Sequence, residues 1–480
     1  MKVLIVASEA APFASTGGLG DVVGSLPAAL TELGCSVSVA MPAYRTALDR
    51  IKVWDVAVEG LSVTMGWASV AGDILLSELT PGVPLYLVRC DPFFDRDGIY
   101  GTPAGGYWDS PERYIFFSRI IPSLCDSLSL RPDVILANDW QTGLVMALLN
   151  EGAVPGAAGV FSIHNMGYLG LVPPERTGSI GLPYPYYRME GLEFYGQMSL
   201  LKAGIVYAKS VVTVSPTYAR EIQTPEAGFG LEGLMRSISG RLHGILNGVD
   251  YRMWDPSIDP HLVRTYSSSD LSGKAACKED LLKVMGLPAE LAARPLAGMV
   301  TRLVGQKGTG LLTDACSALF SLGMGLVVLG SGDAAYEKAL IDLQVLYPDR
   351  FGLKIGFDPG LAHKIVAGSD VFLIPSLYEP CGLTQMYSLK YGNIPVARAT
   401  GGLKDTIVDP DEGKEGSTGF KFDRFHSADL VAAAARAIRA WDHPHLWKDM
   451  QQNAMAQDFS WRRSAEAYLR LFEQSVSGDG

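Results

Sequence analysis

Short apolar, β-branched runs recur along the whole chain, each closed by polar residues or glycine and followed by a longer stretch of helical spacing. In the first half the runs are KVLIVAS, SVSVAMP, PLYLVRC, DVILAND, GVFSIHN, SVVTVSP and LHGILNG. In the second half they are LAGMVTRL, GLVVLGSG, GLKIGF, VFLIPS and NIPVARAT. Continuous apolar runs of this length predict parallel strands buried on both faces. Their alternation with helices predicts doubly wound α/β sheets, and the strands are too many for one ordinary open sheet. The break is expected where Pro, Asp and Gly cluster in ILNGVDYRMWDPSID, residues 245–259, giving Rossmann-like domains over 1–245 and 246–457 that face across a cleft. The closing stretch SWRRSAEAYLRLFEQSV predicts a helix with Trp461, Ala465, Tyr468, Leu469 and Phe472 on one face.

Ligands of such sheets lie beyond the carboxyl ends of the strands, so the residues that follow each run are the ones to inspect. Asn138, Asp139 and Trp140 close one run, and His164 and Asn165 another. Arg302 and Lys307 follow the first strand of the second half, and Gly330, Gly332 and Asp333 follow the next. Glu379 stands between a strand and a helix in VFLIPSLYEPCGLTQ. The turn Thr-Gly-Gly-Leu occurs twice, at Thr16–Leu19 and Thr400–Leu403. Singly these have bland readings: Asp139 as a helix cap, His164 as a hydrogen-bonded core histidine, Arg302 and Lys307 as solvated charges. Neither GGLGDVVG nor GSGDAAYE satisfies the dinucleotide fingerprint with its downstream ribose acid. Taken together, at the same end of successive strands, they predict a binding site. Glycine admits close approach of backbone amides, a following helix favours an anion, and two cations five apart suit a diphosphate.

Composition narrows the partners. The 480 residues are 48% hydrophobic and 19% charged, as in a core-rich globular protein, and the net charge of −11 comes without a Lys/Arg block. Nucleic acid is an unsuited partner, since duplex binding draws on clustered cations. Six dispersed cysteines show neither paired nor metal-type spacing, which points to a reducing, cytoplasmic setting without structural zinc. The N-terminal MKVLIVASEAAP reads as a buried strand before a Gly-rich turn rather than a signal core, and no segment is long enough to span a membrane. One competing motif, DRD at Asp95–Asp97, matches the short acidic signature of metal-dependent sugar transferases.

The stretches STGGLGDVVGSLP, NDWQTGL, SIHNMGYLG, SPTYAREIQTPEAGFGLEGL, ILNGVDYRMWDP, TRLVGQKG and YEPCGLTQMYSLKYGNIPVARATGGLKDTIVD resemble, in order and over nearly the whole chain, bacterial glycogen synthases and plant starch synthases. The resemblance implies the GT-B fold, with segment 458–480 packing back on the first, acceptor-side domain and the donor held by the second. It implies transfer of glucose from ADP-glucose to the non-reducing end of an α-1,4-glucan, with retention, without metal or other cofactor. Position by position it implies that Arg302 and Lys307 bind the diphosphate, Glu379 contacts the donor sugar, and His164 and Asp139 act beside it. It implies substrate-binding roles for Ser15, Thr16, Gly17, Gly18, Asn165, Asn247, Gly332, Cys381, Gly382, Leu383, Thr384, Thr400, Gly401, Gly402 and Leu403. Phe357 stands where a tyrosine often stacks on adenine.

Two positions depart from the family pattern. Ser15 replaces the lysine that commonly precedes Thr-Gly-Gly-Leu, and Leu169 stands where a glutamine is frequent. Loss of the cation leaves the nucleotide preference open, with Lys202 a conceivable substitute. Three other readings stay open on these residues: an isomerase acting on nucleotide sugars, a catalytically weak paralogue kept to bind glucan, and a phosphorylase-like enzyme. The last would need a Schiff-base lysine that the sequence does not reveal.

Overall fold

The computed structural model describes residues 1–66, 68–102, 105–413 and 415–478. They form two compact units, residues 1–248 joined by the helix that starts at Trp461, and residues 249–460.

The first unit is built on a nine-stranded sheet. In chain order its strands are β1 (Lys2–Val6), β2 (Ser36–Pro42), β3 (Asp55–Met65), β4 (Ala68–Thr80), β5 (Val83–Arg89), β6 (Val134–Asn138), β7 (Ala158–Ile163), β8 (Ser210–Thr213) and β9 (Leu242–Gly244). Their spatial order is β9-β8-β7-β6-β1-β2-β5-β4-β3. Seven strands run parallel, and β3 and β4 form an antiparallel extension. Those two were not anticipated, because β3 alternates apolar and polar residues and leaves much of its length in solvent. A search for continuous apolar runs finds only strands covered on both sides. Helix α1 (Gly18–Glu32) follows β1 and packs on the terminal helix Trp461–Ser477. That helix buries Trp461, Ala465, Tyr468 and Phe472 as expected, but Leu471 rather than Leu469 turns inward. The last two residues of the predicted 458–480 segment lie outside the described residues.

The second unit holds a six-stranded parallel sheet: β10 (Leu296–Val300), β11 (Gly325–Gly330), β12 (Phe351–Ile355), β13 (Val371–Ile374), β14 (Ile394–Arg398) and β15 (Phe420–Phe422), in the order β12-β11-β10-β13-β14-β15. The short β15 is the strand here that the apolar pattern did not reveal. Helices α2 (Thr309–Ser321) and α3 (Thr384–Lys390) follow β10 and β13 in sequence. In each sheet the parallel strands fill in opposite directions from one reversal point, between β1 and β6 in the first unit and between β10 and β13 in the second. Crevices outside the carboxyl ends of strands at such reversals are where open α/β sheets bind ligands.

Candidate active site

In the first unit two residues at the reversal, Glu9 after β1 and Asp139 after β6, organise the site. Glu9 is buried, and its carboxylate accepts the Thr16 amide at 2.5 Å, the Thr16 hydroxyl at 2.9 Å and the Tyr100 hydroxyl at 2.5 Å. This clamp fixes Thr16 and leaves the next two amides, Gly17 and Gly18, exposed at the start of α1 without hydrogen bonds among the described residues. Helix N-termini carry unsatisfied donors and a partial positive charge, so this is a place for an anion. Ser15 is exposed, and among the described residues its hydroxyl donates only to the Gly17 carbonyl, at 3.3 Å.

Asp139 stands at the N-cap position of the turn Trp140–Thr142, but its side chain makes no cap hydrogen bond there. It has φ +56°, a left-handed backbone rarely adopted by a non-glycine residue. Its carboxylate turns across to the neighbouring strand and accepts the amides of His164 at 2.7 Å and Asn165 at 3.4 Å. Burial pushes this carboxyl up to about 7, against the lowering pull of those two amides, with Glu9 adding to the rise. His164 also departs from the bland core reading, being half-buried with a defined tautomer. The Asn138 amide nitrogen donates to the carbonyls of Val6 and Leu136, which leaves Asn138 Oδ1 as the acceptor facing His164 Nε2 at 2.9 Å. Nε2, which also lies 3.1 Å from the Ser162 hydroxyl, therefore carries the proton, and Nδ1 has no partner among the described residues. Burial lowers this ring to about 4, so it is neutral at physiological pH. Asn165 shapes the turn by accepting the Gly167 amide at 2.9 Å. Asn247 is buried, with its carbonyl oxygen unpartnered among the described residues.

In the second unit Lys307, after β10, and Glu379, after β13, meet at the reversal. Lys307 Nζ lies 2.8 and 2.6 Å from the two carboxylate oxygens of Glu379. The Ser376 hydroxyl donates to the same carboxylate at 2.9 Å. A cavity of about 130 Å³ opens beside this pair, lined also by Thr301, Gly382, Leu383 and Thr384. Arg302 is exposed, and its guanidinium is unpaired among the described residues. Phe357 is 92% exposed, a bare aromatic face beyond β12. Cys381 is buried beneath the loop that follows Glu379.

At three of the expected places the protein's own groups already hold the amide or the cation. The two Thr-Gly-Gly-Leu turns are not equivalent. In the second, a Cβ at Gly401 would stand 1.9 Å from the Glu379 carbonyl and one at Gly402 2.0 Å from that of Cys381. The Gly402 amide donates to the Glu379 and Pro380 carbonyls, both at 3.1 Å, and the Leu403 amide to Thr400. These glycines admit the protein's own backbone, so the Gly402 and Leu403 amides are already occupied, and Thr400 is buried with them. The Gly332 amide is likewise held by Glu337, at 2.8 Å. Lys202 cannot replace the missing cation where it stands, because its buried ammonium is bonded to the carbonyls of Met189 and Glu193 at 2.5 and 2.6 Å.

The acidic motif has a partner of its own, since Arg45 bridges Asp95 at 2.6 Å and Asp97 at 2.7 Å. Among the described residues no group of three or more His, Cys, Asp or Glu side chains is arranged to hold a metal ion. Glu9 and Ser376 were not singled out in the sequence, and Asn138 was noted there only as the end of a run. Applying the strand-end rule to β1 itself, which closes on Ser8 and Glu9, would have found the first.

The starch synthase catalytic domain model matches residues 2–237, and that of glycosyl transferases group 1 matches residues 289–455. The chain is 49% identical over 478 residues to the glycogen synthase of Desulfatibacillum aliphaticivorans, with 99% of each chain covered. The chain belongs to the glycogen and starch synthase family. The glycogen synthase of Syntrophotalea carbinolica is 44% identical, again over 99% of both chains. The catalytic domain of starch synthase IV from Arabidopsis thaliana, solved bound to ADP and acarbose, superposes with a TM-score of 0.92 at 33% identity over 99% of each chain. A sucrose-phosphate synthase from Thermosynechococcus elongatus shares the fold alone, with a TM-score of 0.63 at 17% identity. This synthase is thus a GT-B protein of two Rossmann-like units and a glucan-synthesising glycosyltransferase. No helix among its described residues is long and apolar enough to cross a membrane.

Proposed function

We propose that this synthase transfers glucose from ADP-glucose to the non-reducing end of an α-1,4-glucan, with retention of anomeric configuration and without a metal ion. The observation that carries this reading is the Lys307–Glu379 pair beside a cavity at the sheet reversal of the second unit. The related starch synthase IV catalytic domain, solved bound to ADP and acarbose, supports an adenine nucleotide and an α-glucan as the ligand classes.

In this reading Lys307 and the unpaired Arg302 take the diphosphate, and Phe357 offers its ring to the base. The Gly17 and Gly18 amides of the first unit are suited to an oxyanion of a substrate. As the C1–O bond to the diphosphate breaks, its electron pair leaves on phosphate oxygen and positive character grows on the sugar ring. Preorganised cations and amides stabilise that leaving charge more in the transition state than in the ground state. The acceptor 4-hydroxyl oxygen bonds to C1 on the same face, and its proton passes to the departing phosphate oxygen. Glu379 gives electrostatic support to the ring, held in place by Lys307 and Ser376. His164, neutral with Nδ1 bare, accepts from a sugar hydroxyl, and Asp139 sets the backbone that presents it. Six buried cysteines, none joined in a disulfide, are consistent with work in the cytoplasm.

The test is radiolabelled glucose transfer to glycogen from ADP-glucose and from UDP-glucose, with and without a chelator. Arg302→Ala and Lys307→Ala are expected to abolish most transfer. Preference for UDP-glucose, or loss of activity on chelation, would overturn the reading.

A further inference from the structure

The loop between Glu379 and α3 carries four consecutive carbonyls that all point to protein donors. The Gly402 amide holds those of Glu379 and Pro380 at 3.1 Å. Gln385, fully buried, folds its side chain back and donates from Nε2 to the carbonyls of Cys381 and Gly382, both at 2.9 Å. A trans peptide unit sets its N–H opposite its C=O. Pinning the carbonyls of Cys381 and Gly382 therefore turns the amides of Gly382 and Leu383 to the other side of the loop. Neither amide has a partner among the described residues, and both residues line the cavity that Lys307 and Glu379 share. Gly382 makes the reversal with φ +74°. A Cβ there would stand 2.4 Å from Gln385 Oε1, an oxygen that is itself buried and unpartnered among the described residues. Two such successive amides form a concave donor pair suited to an oxyanion.

We propose that Gln385 is a positioning residue for the donor site: its carboxamide orients the Gly382 and Leu383 amides toward the phosphate or sugar oxygens of the nucleotide sugar. It touches no substrate and acts only through the loop. The inference rests on the donor-site reading above, because it takes the Lys307–Glu379 cavity as the place where the donor binds. An unpolarised amide pair in a Gln-less loop would be free to rotate, and a rotated peptide presents a carbonyl where a donor is needed. The loss should therefore fall on the donor and spare the glucan.

Gln385→Met keeps the length and removes both hydrogen bonds. It is expected to raise the KM for ADP-glucose at least tenfold and to lower kcat at least tenfold, while the glycogen KM stays within twofold. Gly382→Ala attacks the same contact from the other side and is expected to give the same donor-selective loss, which covers the case in which Gln385→Met does not fold. Unchanged donor parameters in a folded variant would overturn the inference, as would equal losses for donor and acceptor. Lys307→Ala separates the two ideas. If it leaves donor use intact, the donor-site reading fails. If it abolishes donor use while Gln385→Met does not, the role of Gln385 alone fails.

Discussion

Ser15→Lys restores a cation ahead of the exposed Gly17 and Gly18 amides. Little is lost in making it, since Ser15 is exposed and its hydroxyl has one long bond, 3.3 Å to the Gly17 carbonyl. The gain follows from Coulomb's law. A unit charge about 4 Å from a phosphate oxygen is worth ~1 kcal/mol in bulk water and ~4 kcal/mol at the effective dielectric of a protein surface. Ordering a lysine side chain opposes this by up to ~2 kcal/mol. For an exposed loop the balance is about 1 to 2 kcal/mol, or roughly 5- to 30-fold in affinity. The assay is the dissociation constant of ADP-glucose at two salt concentrations, with Ser15→Met as a control of similar length and no charge. The lysine variant should bind tighter, and the gain should shrink as salt rises. Unchanged or weaker binding, or the same gain from methionine, would refute the reasoning.

Other outcomes follow from the same geometry. Glu379→Gln breaks the ion pair with Lys307 at 2.6 Å and should lower kcat at least a hundredfold, with the fold intact by circular dichroism. Burial holds the Asp139 carboxyl up at about 7, well above the ordinary carboxylate range. Its contribution to stability is thus present below about pH 4 and lost as pH rises to about 7, so Asp139→Asn should gain on the parent in urea unfolding between pH 5 and pH 8. The same variant should lose any limb of the pH–rate profile near neutrality. Gly402→Ala drives a Cβ to 2.0 Å from the Cys381 carbonyl and should abolish transfer through displacement of the Glu379 loop, seen as a raised ADP dissociation constant. Trp254 is stacked between His363 at 3.8 Å and Tyr387 at 4.0 Å, so Trp254→Ala should cost about 3 kcal/mol and lower the thermal midpoint of unfolding.

The doubly wound architecture was legible because strands such as Val134–Asn138 and Gly325–Gly330 are apolar along their whole length. A strand covered by helices on both sides has no polar face to disguise it. The rule that ligands gather at carboxyl ends then led directly to Asp139, His164, Lys307 and Glu379. What those residues do to one another was beyond any linear pattern. Asp139 reads as a cap, yet only the β6–β7 pairing brings it to the His164 amide, 25 residues away. Two identical Thr-Gly-Gly-Leu turns differ because one is clamped by Glu9 and left open, while the other is pressed onto the Glu379 loop. Lys202 looks like a free cation until burial places two carbonyls on it. Sequence by itself determined which residues bury apolar surface and where strands end, because both depend on local chemistry. Only tertiary structure decided which polar groups remain available to a ligand, because availability depends on whether a distant part of the same chain has already satisfied them.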